Sequence, residues 1–291
     1  MSIFKKAYEL INNAPQALDW DTYEKVVVEE YEQLLKQNGN EERVFQDFFE
    51  RNPAFLPGAF GVYGESGHSP YNNALIIQPL LQGLTSKIPD FLWIASDSLN
   101  IYPIFIEIET HNKRWFRKNG VPTAEFTQAQ NQLSDWKTWL SNPTHQNLFY
   151  QYYDIDKEIV SGKSVRPQYI LIYGSRNEFI EKPELNQKRA QLVRENETYM
   201  TFDRLSPNIK ARNTVTCKVS NRKYTAKFIS PTFRLGPVYA EELSKIDNKI
   251  EAINNSKIDK KRKEFLISRL EYWEEFGRKQ PRGLRNSGDW E

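Results

Sequence analysis

Cysteine is nearly absent from this chain: Cys217 stands alone among 291 residues. A single thiol can form neither an intramolecular disulfide nor a thiolate metal cluster, so a cytoplasmic setting is the expectation. Histidine is almost as scarce. His68, His111 and His145 are too far apart in sequence for the short ligand spacing of a zinc site. No apolar run approaches the roughly eighteen residues of a membrane helix, and the opening MSIFKKAYEL turns polar too early for a signal peptide. With 13 Gly and 15 Pro the chain is no fibrous or low-complexity protein. Charge of one sign is lacking too: 40 basic against 38 acidic residues leave +2, so any nucleic-acid surface is a local groove and not a global field. Carboxylates are therefore the candidates for metal chemistry.

Aromatic residues, at 13%, and the length suffice for a real core. Val26, Val27, Tyr31, Leu34 and Leu35 repeat at three and four, predicting a helix that ends before Gly39. A second is predicted over 41–51, with Val44, Phe45, Phe48 and Phe49 on its apolar side. Residues 57–70 form a turn-rich loop with four glycines, either a cover or a connection. From Ala74 to Glu109 the period shortens: ALIIQ, DFLWIA and YPIFIEIE read as strands, the last two joined by SDSLN as a hairpin. A helix follows over 123–140, then a strand (PQYILIYG), a helix over 184–195 and a strand (ETYMTF). Alternating strands and helices predict an α/β core. Beyond a soft boundary near 206, two strands (TVTCKV, KYTAKFI) and helices over 239–254 and 258–276 form an appendage suited to packing on the core or on another subunit. Its helices carry Ile246, Ile250, Ile253, Phe265, Leu266 and Leu270. The expected organisation is an N-terminal helical segment (1–40), a core (41–206) and this appendage (207–291). The last fifteen residues are polar and irregular.

The chemistry concentrates at Pro89-Asp90 and, seventeen residues on, Glu107-Ile108-Glu109. Side chains two apart share a strand face, so Glu107 and Glu109 point the same way, and the hairpin returns Asp90 to the position opposite Glu107. Three carboxylates thereby converge. Their repulsion would be relieved by a divalent cation, and oxygen-only ligation suits Mg²⁺ or Mn²⁺. Spacing alone favours a solvated acidic strand face over such a site. The run His111, Asn112, Lys113, Arg114, Arg117 and Lys118 follows, with Trp115 and Phe116 among its cations. It reads equally as a solvated loop and as a surface that holds phosphates and stacks on a base. Trp136 and Trp139 read as core, and the basic KIDKKRKEF stretch as a solvated helix face.

The proline-aspartate, hairpin and glutamate arrangement resembles the PD-(D/E)xK nuclease core. The wider order is more specific. Glu42 and Gln46 with FFERNPAFL, then KIPDFLWI, FIEIETHNKRWF, FTQAQNQLSDWKTWL, YILIYGSR and YMTFDRL occur as in the Shedu-type anti-phage defence nucleases, over about residues 40–205. The resemblance implies a restriction-endonuclease-like mixed sheet flanked by helices and a Mg²⁺-dependent DNA endonuclease, Mn²⁺ being an alternative metal. It also implies a homo-oligomer, plausibly a tetramer. Asp90 and Glu107 would be metal ligands, Glu42 a carboxylate at the edge of the site, and Gln132 a contact to substrate or the catalytic water. Glu109 stands where the pattern usually has lysine, with Lys113 as a stand-in cation. A DNA-binding or sensing module that has lost hydrolysis, or an RNA nuclease, stays open beside this reading.

Overall fold

In the computed structural model, the described residues are 5–62, 64, 66–83, 88–155, 160 and 162–291. Residues 1–4 of the N-terminal segment, residues 63 and 65 of the glycine-bearing loop, and Lys87 of KIPDFLWI lie outside them. No helix among the described residues is long and apolar enough to cross a membrane.

Helix α1 (Trp20–Gln37) starts where Asp19 accepts the Thr22 N–H, and it buries Tyr23, Val27 and Tyr31. Val26, expected on the same apolar face, is exposed. Helix α2 (Glu42–Arg51) buries Phe45, Phe48 and Phe49 completely. Each such ring stabilises the fold by about 1.5–3 kcal/mol relative to exposure.

Strands β1 (Ala74–Ile77), β2 (Phe91–Ser96) and β3 (Asn100–Ile108) open the sheet. The SDSLN turn forms as expected: the Asp97 carboxylate accepts the N–H groups of Leu99 and Asn100 at 2.7 and 2.6 Å. Register then sorts the side chains strictly by parity. Phe91 and Trp93 join the α1–α2 layer, while Leu92, Ile94 and Phe105 face the opposite layer. That layer is led by α3 (Ala124–Ser141), whose Phe126, Leu133, Trp136 and Trp139 are buried as core. Helix α4 (Pro143–Tyr152) is an addition to the expected elements, although Asn142 as cap and Pro143 in the first turn are its start signal.

Strands β4 (Ser164–Val165), β5 (Gln168–Ile172) and β6 (Glu197–Met200) run parallel to β3 or to one another. Between β5 and β6, a short unexpected helix, α5 (Asn177–Glu181), precedes the helix expected over 184–195, α6 (Pro183–Leu192), and is separated from it because Pro183 starts a new first turn. Strand β7 (Val215–Ser220) pairs in parallel with β1, and β8 (Lys223–Ile229) and β9 (Ile246–Asp247) extend it. The order is β6-β5-β3-β2-β1-β7-β8-β9, with β4 beside β3. Residues after 206 thus continue the core's own sheet.

The helix expected over 239–254 is interrupted. It becomes α7 (Ala240–Ser244), β9 and α8 (Lys249–Asn255), because Asn248 takes a left-handed conformation with φ 61°. Ile250 is exposed, whereas Ile246, Ile253, Leu266 and Leu270 are buried within the chain. Helix α9 (Lys260–Lys279) holds Arg262 at 1% exposure, so the KIDKKRKEF stretch is not simply a solvated face.

Candidate functional site

Strands β3, β5 and β6 end on one edge of the sheet, with Ile108 beside Ile172 and Ile172 beside Met200. The antiparallel β2 begins there, so Asp90 directly precedes it. This carboxyl-terminal edge is where open α/β sheets place their ligands.

Asp90 is locked by its backbone: its N–H donates to Ile106 O at 3.2 Å, and its carbonyl accepts from Gln78 N–H at 2.8 Å. Its side-chain Oδ2 accepts the Ile108 N–H at 2.8 Å, which brings the carboxyl against Glu107. Glu107, 6% exposed, points to the α3 layer, where Gln132 Nε2 donates to its Oε1 at 2.7 Å. Its Oε2 is buried without a hydrogen-bond partner. Part of Asp90 remains open to solvent.

The electrostatics follow from this packing. Desolvation, opposed by the Ile108 N–H and assisted by the charge of Glu42, pushes the Asp90 carboxyl up to about 7. Glu107 is raised well above the ordinary carboxylate range, by burial first and then by Asp90, Glu109 and Glu42. Glu42, in the first turn of α2, is raised by burial and by Glu109, and lowered by Lys113. Asp90 and Glu107 thus form a pair in which burial and each other's charge disfavour ionisation of both.

The expected convergence of three carboxylates is therefore reduced to a pair. Glu109 is buried on the same strand face, but its carboxylate is taken by the Lys113 ammonium four residues on. Among the described residues no group of three His, Cys, Asp or Glu side chains forms a ready-made metal cluster. The donor set still suits a hard cation. Mg²⁺ characteristically uses one or two protein carboxylates and fills its remaining positions with water and substrate phosphate. A buried carboxylate oxygen without a partner, beside a second carboxyl that reaches solvent, provides such a two-ligand site.

The basic run divides. Lys113 turns inward to Glu109, and Arg114 lies 3.8 Å from Glu178. Arg117 and Lys118 are exposed. Trp115 and Phe116 are fully buried, and this corrects the expectation that they stack on a base. Their N–H groups both donate to the Glu178 carboxylate, at 2.9 and 3.1 Å, which folds the loop inward. His111 faces Asp203 at 3.6 Å and not the carboxylate pair.

Two glycines hold this loop. Gly174 has φ +64°, and a Cβ there would lie 2.6 Å from Lys113 O and 2.7 Å from Trp115 Nε1. Gly39 accepts the Asn112 N–H at 2.9 Å, and a side chain at Gly39 would collide with that of Asn112. Asp203, Glu178 and the two glycines were not singled out from sequence as site-forming. Only Gly174, following a buried strand, carried any local signal.

No curated protein matches this chain. A family model described as "Shedu protein SduA, C-terminal" matches residues 39–206, more than half of the sequence and the whole stretch that carries Glu42, Asp90, Glu107, Glu109 and Gln132. With that span matched and a mixed sheet flanked by helices in place, the chain belongs to the Shedu family of defence proteins.

Proposed function

We propose that this protein is a metal-dependent DNA endonuclease of anti-phage defence, with Asp90 and Glu107 as the ligands of a divalent cation, Mg²⁺ or Mn²⁺. The carrying observation is the buried Asp90–Glu107 pair, with an orphaned Glu107 Oε2 at the strand-end edge of the sheet. Two carboxyls in contact and unbalanced by an adjacent cation among the described residues are costly as a structural device, and a divalent ion removes the cost. When bound, the ion would neutralise phosphate charge and lower the pKa of a water.

The chain's own residues then have distinct tasks. Gln132 fixes the Glu107 carboxylate through its amide N–H, leaving the other oxygen free to ligate. Glu109, held by Lys113, sits one strand step of roughly 6.5–7 Å from Glu107 and receives the proton of the attacking water. Lys113 also returns a positive charge to the place where the family pattern has lysine, which supports hydrolysis over a purely binding role. Glu42 adds negative charge at the rim. Arg117 and Lys118, both exposed, engage phosphates of the duplex. A homo-oligomer, with a tetramer of four 34.3 kDa chains, belongs to the same proposal.

Plasmid cleavage tests it. Purified protein should nick or linearise DNA in Mg²⁺ or Mn²⁺, stop with EDTA, and lose activity in Asp90→Ala. Cleavage of RNA alone, or binding without cleavage across both metals and several DNA forms, would overturn the assignment.

A further inference from the structure

Phe60, Gly67 and Ser69 of the glycine-bearing loop and residues after 206 line an open cavity of about 400 Å³ away from the carboxylates. Its lining includes Phe60, Lys210, Arg212, Tyr239 and Trp290. Trp290 is the informative residue. It is half-buried just after a stretch, 282–288, that is exposed throughout, and both of its neighbours are tied down. Asp289 accepts from Lys6 Nζ at 2.6 Å and from Tyr8 OH at 2.7 Å. Glu291 pairs with the buried Arg262 at 2.6 Å, and its N–H donates to Leu235 O at 2.7 Å. Gly236 leaves bare backbone beneath the ring: a Cβ there would sit 3.0 Å from Trp290 Cε3 and 2.7 Å from Asp289 O. The indole is thus held in place on three sides while keeping a surface toward the cavity.

Beside it stands a matched set of groups. The Tyr239 ring lies 6.2 Å from that of Trp290, inclined by only 26°. The Arg212 guanidinium is 5.6 Å from the Trp290 ring centre. An arginine stacked in this way keeps its in-plane N–H groups available to a phosphate. None of the described lining residues is a carboxylate. Ser69 and Ser287 bring hydroxyls to the same lining. Flat aromatic surface, the Arg212 guanidinium and neighbouring hydroxyls complement a base, a phosphate and a sugar.

We propose that this cavity is a binding site for a nucleoside 5′-phosphate. Its volume lies in the range of small-molecule sites. The moiety has two sources, a free mononucleotide or one unit of a nucleic-acid strand. The second source has room beyond one unit: Phe60 and Ile209 also line a neighbouring cavity of about 580 Å³ that reaches Met200 and Arg204 on the α1–α2 side of the sheet.

Calorimetric titration of the full chain in EDTA, so that no strand is cut, tests the site. The probes are AMP, adenosine, inorganic phosphate and a 5′-phosphorylated single strand of about ten nucleotides. AMP should bind at least tenfold more tightly than adenosine or phosphate. Trp290→Ala and Arg212→Gln should each weaken AMP roughly tenfold or more, with Trp290→Phe retaining most of the affinity. Asp90→Asn should bind as the wild type does, which separates this site from the metal site. A strand that binds a hundredfold more tightly than AMP, and loses that advantage in Trp290→Ala, identifies the strand as the source; equal affinities identify the mononucleotide. Absence of binding by AMP and by the strand at millimolar concentration overturns the proposal. So does binding unaffected by Arg212→Gln in a variant that melts like the wild type.

Discussion

Replacing Asp90 by asparagine should make the metal-free protein more stable at pH 8, the reverse of the usual effect of a partly buried substitution. The Asp90 carboxyl, ordinarily near 3.8, is pushed up to about 7 in the fold. A group raised in this way contributes stability that is complete below the unfolded-state value and is lost as pH rises through the folded one. From about pH 4 to above pH 7 the wild type should therefore lose stability, by at most about 4 kcal/mol from this group. Asparagine removes the charge but keeps an oxygen for the Ile108 N–H, now met at 2.8 Å, and offers an amide N–H to Glu107. After allowance for imperfect geometry, a gain of about 1–3 kcal/mol remains. That corresponds to a melting temperature roughly 2–5 °C higher at pH 8 in EDTA. At pH 5 the gain should shrink, and near pH 3.5, where the unfolded carboxyl is protonated too, it should vanish. Saturating Mg²⁺ should raise the wild-type midpoint at pH 8 and leave the variant unmoved. A variant less stable than the wild type at pH 8, or a gain of equal size at pH 8 and near pH 3.5, would refute the electrostatic reasoning.

Glu109→Gln should lower the cleavage rate roughly 10²-fold if Glu109 is the base, whereas a wild-type rate would make it a bystander. Lys113→Met, which releases the Glu109 carboxylate from its partner, should slow cleavage about tenfold or more, with Lys113→Arg restoring part of the loss; both are read from single-turnover rates. Gln132→Ala leaves Glu107 Oε1 without its amide donor and should raise the metal concentration needed for half-maximal cleavage by roughly tenfold, with smaller effect on the maximal rate. Gly174→Ala places a Cβ 2.6 Å from Lys113 O at a positive φ, so urea unfolding should show a loss of about 2–4 kcal/mol.

Much of this was legible because the signals were local. Parity along FLWIA and PIFIEI assigns each side chain to a sheet face, and the SDSLN turn sets the register that puts Asp90 opposite Glu107. The family pattern placed Gln132 at the site as a contact to substrate or the catalytic water; its hydrogen bond to Glu107 could not be read from spacing, since α3 and β3 meet only through tertiary packing. Lys113 was legible as a stand-in cation, but its direct pairing with the Glu109 carboxylate was not, for a similar reason. Strand periodicity gives the face of a side chain but not the competing cation that the loop folds onto it. Trp115 and Phe116 misled because interleaving with cations is the same pattern for a stacking surface and for a loop anchored inward by Glu178. The break at Asn248 and the docking of Trp290 depend on contacts across the whole chain, which no window of sequence contains.

The central claim is that Asp90 and Glu107 together hold one divalent cation, and Mn²⁺ binding followed by electron paramagnetic resonance tests it most directly. At pH 8 the wild type should bind one Mn²⁺ per chain, displaceable by excess Mg²⁺, and Asp90→Asn or Glu107→Gln should each abolish that binding while the protein remains folded. Stoichiometric binding that persists in both variants would place the cation elsewhere and contradict the account.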